Sequence, residues 1–147
     1  MKKSLAILLL GLVTAVTSFA QLRNVPAAVT EAFKAKYPAA SEVSWKDNLT
    51  NFEAGFSDNG VPSAAKFNSK GSWLETSREL NYDQLSAAVK DGFHKSRFAG
   101  WEVKEVQEIS EKGKETRFRL LVRKSGLEKK YLFFDEKGQL KREAITL

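Results

Sequence analysis

Between residues 42 and 79, apolar side chains fall at every second position in one short run after another. Residues 42–46 carry Val43 and Trp45 on one side, 51–57 carry Phe52, Ala54 and Phe56, and 61–67 carry Val61, Ser63, Ala65 and Phe67. A fourth run, 72–79, contains Trp73 and Leu74. Alternation with period two marks a strand with one buried face. The separators are turn formers: Asp47-Asn48, Asp58-Asn59-Gly60 and Asn68-Ser69-Lys70-Gly71. Ahead of the strands, residues 24–37 place Val29, Ala32, Phe33 and Tyr37 at i, i+3, i+4 and i+8, one stripe of a helix. Asn24 is its expected N-cap, Pro26 suits the first turn, and Pro38 stops it.

The same order then recurs. Residues 82–98 read as a helix with Leu85, Val89, Gly92 and Phe93 on one stripe and Asp83 as its cap. Residues 101–110 carry Val103, Val106 and Ile109, a slip from period two that predicts a bulge or bend. Residues 116–124 alternate Phe118, Leu120 and Val122 with Arg117, Arg119, Leu121 and Arg123, and the runs 128–134 and 139–147 follow. Val29 and Phe33 precede Val89 and Phe93 by 60 residues, and Phe67-Asn68-Ser69-Lys70-Gly71 precedes Phe134-Asp135-Glu136-Lys137-Gly138 by 67. Both segments fit a tight hairpin in which an Asx side chain starts the turn and Gly supplies a positive φ. The expected fold is α+β: tandem αββββ units, about 24–80 and 82–147, with helices packed on one face of an antiparallel sheet. The expected core is Val29, Phe33, Tyr37, Trp45, Phe52, Phe56 and Phe67, then Val89, Phe93, Phe118, Leu120, Val122, Leu132 and Phe134. The pattern leaves open whether the units share one sheet.

Pro26-x-x-Val29-x-x-Ala32-Phe33-x-x-x-Tyr37-Pro38, Val43-x-Trp45, Phe52-Glu53-Ala54-x-Phe56 and Phe67-x-x-x-Gly71 together resemble the PepSY-like family, whose members resemble the β-lactamase-inhibitor-protein fold. The likeness runs over residues 21–147 and is closer in the first unit. In the second, no proline opens the helix, Phe98-Ala99-Gly100 stands where Tyr-Pro is expected, and Val106 has no aromatic like Trp45 beside it. The resemblance implies an exported domain with one open sheet face and no established enzymatic activity. It suggests protein or peptide binding on that face.

Charge and composition narrow the function. Lys2 and Lys3, the apolar residues 5–16 and Ser18-Phe19-Ala20 form a secretory signal over residues 1–20, with cleavage between Ala20 and Gln21. The apolar run is shorter than the roughly 20 residues needed to span a bilayer, so no stable membrane anchor is expected and the protein is placed in the periplasm or outside the cell. The chain has no Cys, which removes disulfides, thiolate metal sites and cysteine nucleophiles. Its one histidine, His94, lies beside Lys95 and Arg97, which would repel a metal cation. Glu102, Glu105 and Glu108, and the pair Asp135 and Glu136, read as solvated carboxylates rather than a pair facing across a cleft. Asp58-x-Gly60 and Asp135-x-x-Gly138 read as turns, because neither has the oxygen-ligand run of a calcium loop. No catalytic set, metal or cofactor is expected.

Charge is concentrated in the second unit: residues 85–147 hold 15 Lys plus Arg against 10 Asp plus Glu, whereas 21–84 hold 7 against 8. If Phe118, Leu120 and Val122 face the helices, then Arg117, Arg119, Leu121 and Arg123 face away. Matching Phe134 with Phe67 places Lys129, Tyr131 and Phe133 on that same open face. Arginine and aromatics together suit a protein interface better than a merely solvated face. The expected function is a non-catalytic module engaging a protein or peptide in the cell envelope, with nucleic acid disfavoured by export and modest charge. A small-molecule or lipid sensor is the alternative; it needs an apolar cavity between helices and sheet, where the pattern predicts dense packing. The competing reading of the face is that a loop, a helix or a second copy covers Tyr131 and Phe133.

Overall fold

The structure, a computed structural model, describes residues 24–146. The expected signal and its cleavage site at Ala20 and Gln21 lie outside the described residues. The described residues form helix α1 (Ala27–Lys36), strands β1 (Ala40–Asp47), β2 (Phe52–Asp58), β3 (Val61–Phe67) and β4 (Trp73–Leu80), then helix α2 (Ala87–His94) and strands β5 (Glu102–Glu111), β6 (Arg117–Ser125), β7 (Glu128–Asp135) and β8 (Leu140–Ile145). The strands make a single antiparallel sheet in chain order, β1 to β8. The question left open by the sequence is answered by the pairing of β4 with β5, where Ser77 lies opposite Ile109 and Leu80 opposite Val106.

Both helices lie on one face of this sheet, over separate cores. Val29 and Phe33 of α1 pack with Phe52, Ala54, Phe56, Ala65 and Phe67, and Tyr37 and Trp45 flank them. Val89 and Phe93 of α2 pack with Val106, Phe118, Leu120, Val122, Leu132 and Phe134. Phe67 and Phe134 are 1% and 0% exposed. Burial on that scale is worth roughly 1.5–3 kcal/mol per side chain. Leu85 and Phe98, outside the expected core, are also buried against α2.

The helices differ from expectation at their ends. α1 begins after Pro26 rather than at Asn24, because the Pro26 carbonyl accepts the first bonds from the Val29 and Thr30 amides at 2.9 and 3.2 Å. The span 82–98 is not one helix. Tyr82–Gln84 is a 3₁₀ turn, Leu85 is extended, and α2 starts only after Ser86. The Ser86 hydroxyl accepts from the Val89 amide at 3.3 Å and so replaces Asp83 as the cap. α2 stops at His94, and the Ser96 hydroxyl then donates to the Phe93 carbonyl at 2.7 Å. The expected irregularity in the fifth strand is a register shift between Val103 and Glu105.

Two hairpins hold the helices. Asn68 Oδ1 accepts from the Lys70 and Ser72 amides at 3.0 and 2.9 Å, and Asp135 Oδ1 accepts from Lys137 and Gln139 at 3.0 and 2.8 Å. Gly71 and Gly138 sit at φ +81° and +77°. A Cβ on Gly71 would strike the Ala28 carbonyl, and one on Gly138 would strike the Ala88 carbonyl. Each helix backbone thus rests directly on a hairpin glycine. A one-residue slip follows in both, between Lys66 and Phe67 and between Phe133 and Phe134.

Gly138→Ala therefore meets both backbone strain and a collision with α2. Gly113, at φ +74° with nothing near its would-be Cβ, meets strain alone. Chemical denaturation should show Gly113→Ala losing about 1–2 kcal/mol and Gly138→Ala losing clearly more; equal losses would show that the helix contact is unimportant.

Asp135 supplies a pH test. The Gln139 amide, then Lys141 at 3.1 Å and the Lys137 amide, outweigh burial and hold its carboxyl below the ordinary range. A lowered folded pKa stabilises above the unfolded value, and that stability is lost as pH falls through the folded one. Asp135→Asn, which copies Asn68, should keep most of the turn at neutral pH but flatten the acid limb of the stability profile. Asp135→Ala should lower the denaturation midpoint at all pH values. A wild-type acid limb in Asp135→Asn rules this role out.

Candidate functional site

The face away from the helices is built by register. Across β6 and β7, Arg119 lies opposite Phe133, Leu121 opposite Tyr131, and Arg123 opposite Lys129. Across β5 and β6, Gln107 lies opposite Arg119 and Ile109 opposite Arg117. All seven expected residues, Arg117, Arg119, Leu121, Arg123, Lys129, Tyr131 and Phe133, thus share the open face. Strand β8 adds Arg142 opposite Phe133 and Ala144 opposite Tyr131.

Their exposure corrects the simple picture of a row of free side chains. Leu121 is only 8% exposed and Ile109 5%, so the open face has a buried apolar floor of its own. Tyr131 and Phe133 are half-buried. Their covers are guanidinium groups: Arg119 lies 4.9 Å from the Tyr131 ring centroid and Arg142 lies 5.2 Å from that of Phe133. Such stacks contribute about 0.5–1 kcal/mol each at exposed sites and more when water is excluded.

The arginines fall into two kinds. Arg117 is paired with Glu111, and its Nε is buried without a partner among the described residues. Arg123 grips Glu102 through Nη2 at 2.6 Å and Nε at 3.2 Å. Lys104 at 2.9 Å and Arg123 together hold the Glu102 carboxyl below the ordinary range. Each of these two arginines thus has a carboxylate partner, which it shares with a lysine, Lys114 at Glu111 and Lys104 at Glu102. Arg119, by contrast, donates to the neutral Gln107 Oε1, and among the described residues no carboxylate pairs with it or with Arg142. Lys129 is exposed. Arg119 and Arg142 are therefore the arginines of this face without a carboxylate partner among the described residues, and both lie beside rings.

Gln107, Ile109 and Arg142 were missed from the sequence. A strict hairpin would put Arg142 opposite Leu132 on the helix side. The slip that leaves Lys141 unpaired in the ladder moves it across. The slip in Val103, Val106 and Ile109 was the one available signal that Ile109 changes faces.

The enzyme candidates are not brought together. His94 is exposed, with its Nε2 3.2 Å from the Tyr82 hydroxyl. Glu105 pairs with Leu121 on the open face and Glu108 with Phe118 on the helix face. Asp135, read as a solvated carboxylate, is 8% exposed and tied into its turn. Among the described residues, no group of three or more His, Asp or Glu could hold a metal ion.

The sheet, its two helices and the matched hairpins agree with the comparison to known families. The pattern of the family described as beta-lactamase-inhibitor-like, PepSY-like matches residues 50–142. The chain belongs to the PepSY-like family. A BLIP-like protein from Bacteroides fragilis superposes on the PepSY-like chain with a TM-score of 0.75 at 28% identity, covering 82% of this chain and 86% of that one. A DUF2874 family protein from Bacteroides ovatus gives 0.77 at 27%, covering 82% and 86%. A Bacteroides eggerthii protein, provisionally described as periplasmic, gives 0.79 at 24%, covering 82% and 88%. No curated protein matches the chain. No helix among the described residues is long and apolar enough to cross a membrane.

The Glu102 pairing can be tested directly. Arg123→Ala should raise the Glu102 carboxyl pKa part of the way toward the ordinary value, with Lys104 retaining the rest, as read by NMR titration. An unchanged titration would mean that the Arg123 contact does not form in solution.

Proposed function

We propose that this PepSY-like domain is an exported, non-catalytic binding module that engages a protein or peptide of the envelope through the open face of β5 to β8. The observation that carries the reading is the pair of guanidinium-on-ring stacks, Arg119 on Tyr131 and Arg142 on Phe133, on adjoining strands with no carboxylate partner among the described residues. Aromatic and arginine side chains over an apolar floor are the composition of interface hot spots. Charge without an internal partner favours an acidic contact on the other side. The description of the Bacteroides eggerthii relative supports placement in the periplasm, as does the signal read at residues 1–20. The corresponding turn bonds and glycine contacts in both halves support an internal repeat, with residues 21–147 as one domain of two αββββ units.

The test is affinity capture from envelope extract with the wild type and an Arg119→Ala/Tyr131→Ala variant as baits. Both side chains are partly exposed, so the variant should keep its circular dichroism and melting profile. The expected result is a protein captured by the wild type and reduced at least tenfold with the variant. Equal capture by both baits would remove the open face from the binding role.

A further inference from the structure

Beside α1, the outer edge of its core and the side chains that flank it line a crevice of about 400 Å³ against the edge strand β1. This is within the ~300–1,000 Å³ of small-molecule pockets. Phe33, Tyr37, Trp45 and Val43 make its walls, and Thr30 and Lys34 its polar rim. The aromatic walls are fixed: Phe33 meets Trp45 edge-on at 5.3 Å and Tyr37 at 5.4 Å, and Tyr37 meets Phe56 at 4.7 Å. Tyr37 is anchored through its hydroxyl to Thr76, away from the crevice. The register shift between Ser41 and Ser44, with Glu42 at φ +55°, leaves Val43 41% exposed at the mouth.

Charge distinguishes this space from the other two large hollows. The hollow beneath the end of α2 is lined by Lys95, Arg97 and Lys137 and also by the carboxylate of Asp91, with Lys95 paired to Asp91 and Arg97 to Glu143. The cleft beyond the end of α1 carries both signs, with Asp58 and Glu108 as well as Lys36 and Arg78 in its lining. The α1 crevice has no carboxylate in its lining, and among the described residues none pairs with Lys34. Lys36, two residues on, is instead laid over Trp73 at 4.3 Å. Beside α2, Tyr82 and Leu85 pack against the core that includes Phe93; beside α1 the described residues leave the space open. An apolar aromatic slot with one unpaired ammonium at its rim complements a molecule with an apolar body and a single anionic head.

We propose that the α1–β1 crevice binds a small amphipathic carboxylate, with its apolar body against Phe33, Val43 and Trp45 and its carboxylate accepting from Lys34. The site is on the opposite face from Arg119 and Tyr131 and is independent of the sheet-face reading. Dodecanoate is the probe, followed by tryptophan emission of the full chain below its micelle concentration. A saturable change is expected, lost in Trp45→Phe and at least tenfold weaker for dodecyltrimethylammonium. Lys34→Ala should weaken binding about tenfold and Lys34→Arg should retain it. Val43→Asp should abolish it, and Arg119→Ala/Tyr131→Ala should leave it unchanged. Lys34 and Val43 are exposed, so unaltered melting checks that these variants fold. Absence of saturable binding, or an affinity unchanged in folded Lys34→Ala or Val43→Asp, overturns the proposal.

Discussion

The structure depends on the contact between each helix backbone and a hairpin glycine. At Gly71 and Gly138 the chain has to reverse with φ positive, and at the same positions a helix carbonyl lies where any other residue would place its Cβ. The turn and the helix seat are therefore one constraint. It fixes how closely α1 and α2 approach the sheet, which in turn sets the space that Val29, Phe33, Val89 and Phe93 must fill. In the second half the seat is tighter, since Gly92 as well as Gly138 has no room for a side chain. The Asx side chains at 68 and 135 complete the same device by accepting from the turn amides.

Because both seats are on the same side of one sheet, no helix among the described residues covers the opposite side. An uncovered antiparallel face is usually polar. Here the first half follows that rule with Glu53, Lys66 and Glu75, which are linked by ion pairs at 3.9 and 2.8 Å. The second half departs from it, with Leu121 and Ile109 buried and two rings under arginines. Arg117 and Arg123 are spent on internal pairing with Glu111 and Glu102. Two similarly built halves thus carry different open faces, one polar and ion-paired, the other with a buried apolar floor and rings under arginines.

The same logic explains the α1 crevice. Strand β1 is an edge of the sheet, and its bulge turns Val43 outward. Beside α2 the sheet continues through β4, so the link from β4 to α2 fills the neighbouring space with Tyr82 and Leu85.

Strand alternation, turn residues and the two helical stripes were legible in the sequence, because period two and period 3.6 are local properties of the backbone. So was the face assignment of Arg117 to Arg123 and of Lys129 to Phe133, which needs only alternation and one match between Phe67 and Phe134. The helix ends were not, since Pro26 and Ser86 compete with Asn24 and Asp83 and only the backbone path chooses. Nor was the position of Arg142, because a single extra residue in a ladder inverts every side chain beyond it. Which arginines keep free charge was also undetermined, for Glu102 and Glu111 reach β6 only through strand pairing. Sequence determined the elements and their buried faces; tertiary structure decided register, ion pairing and the open spaces, because those depend on distances between residues remote along the chain.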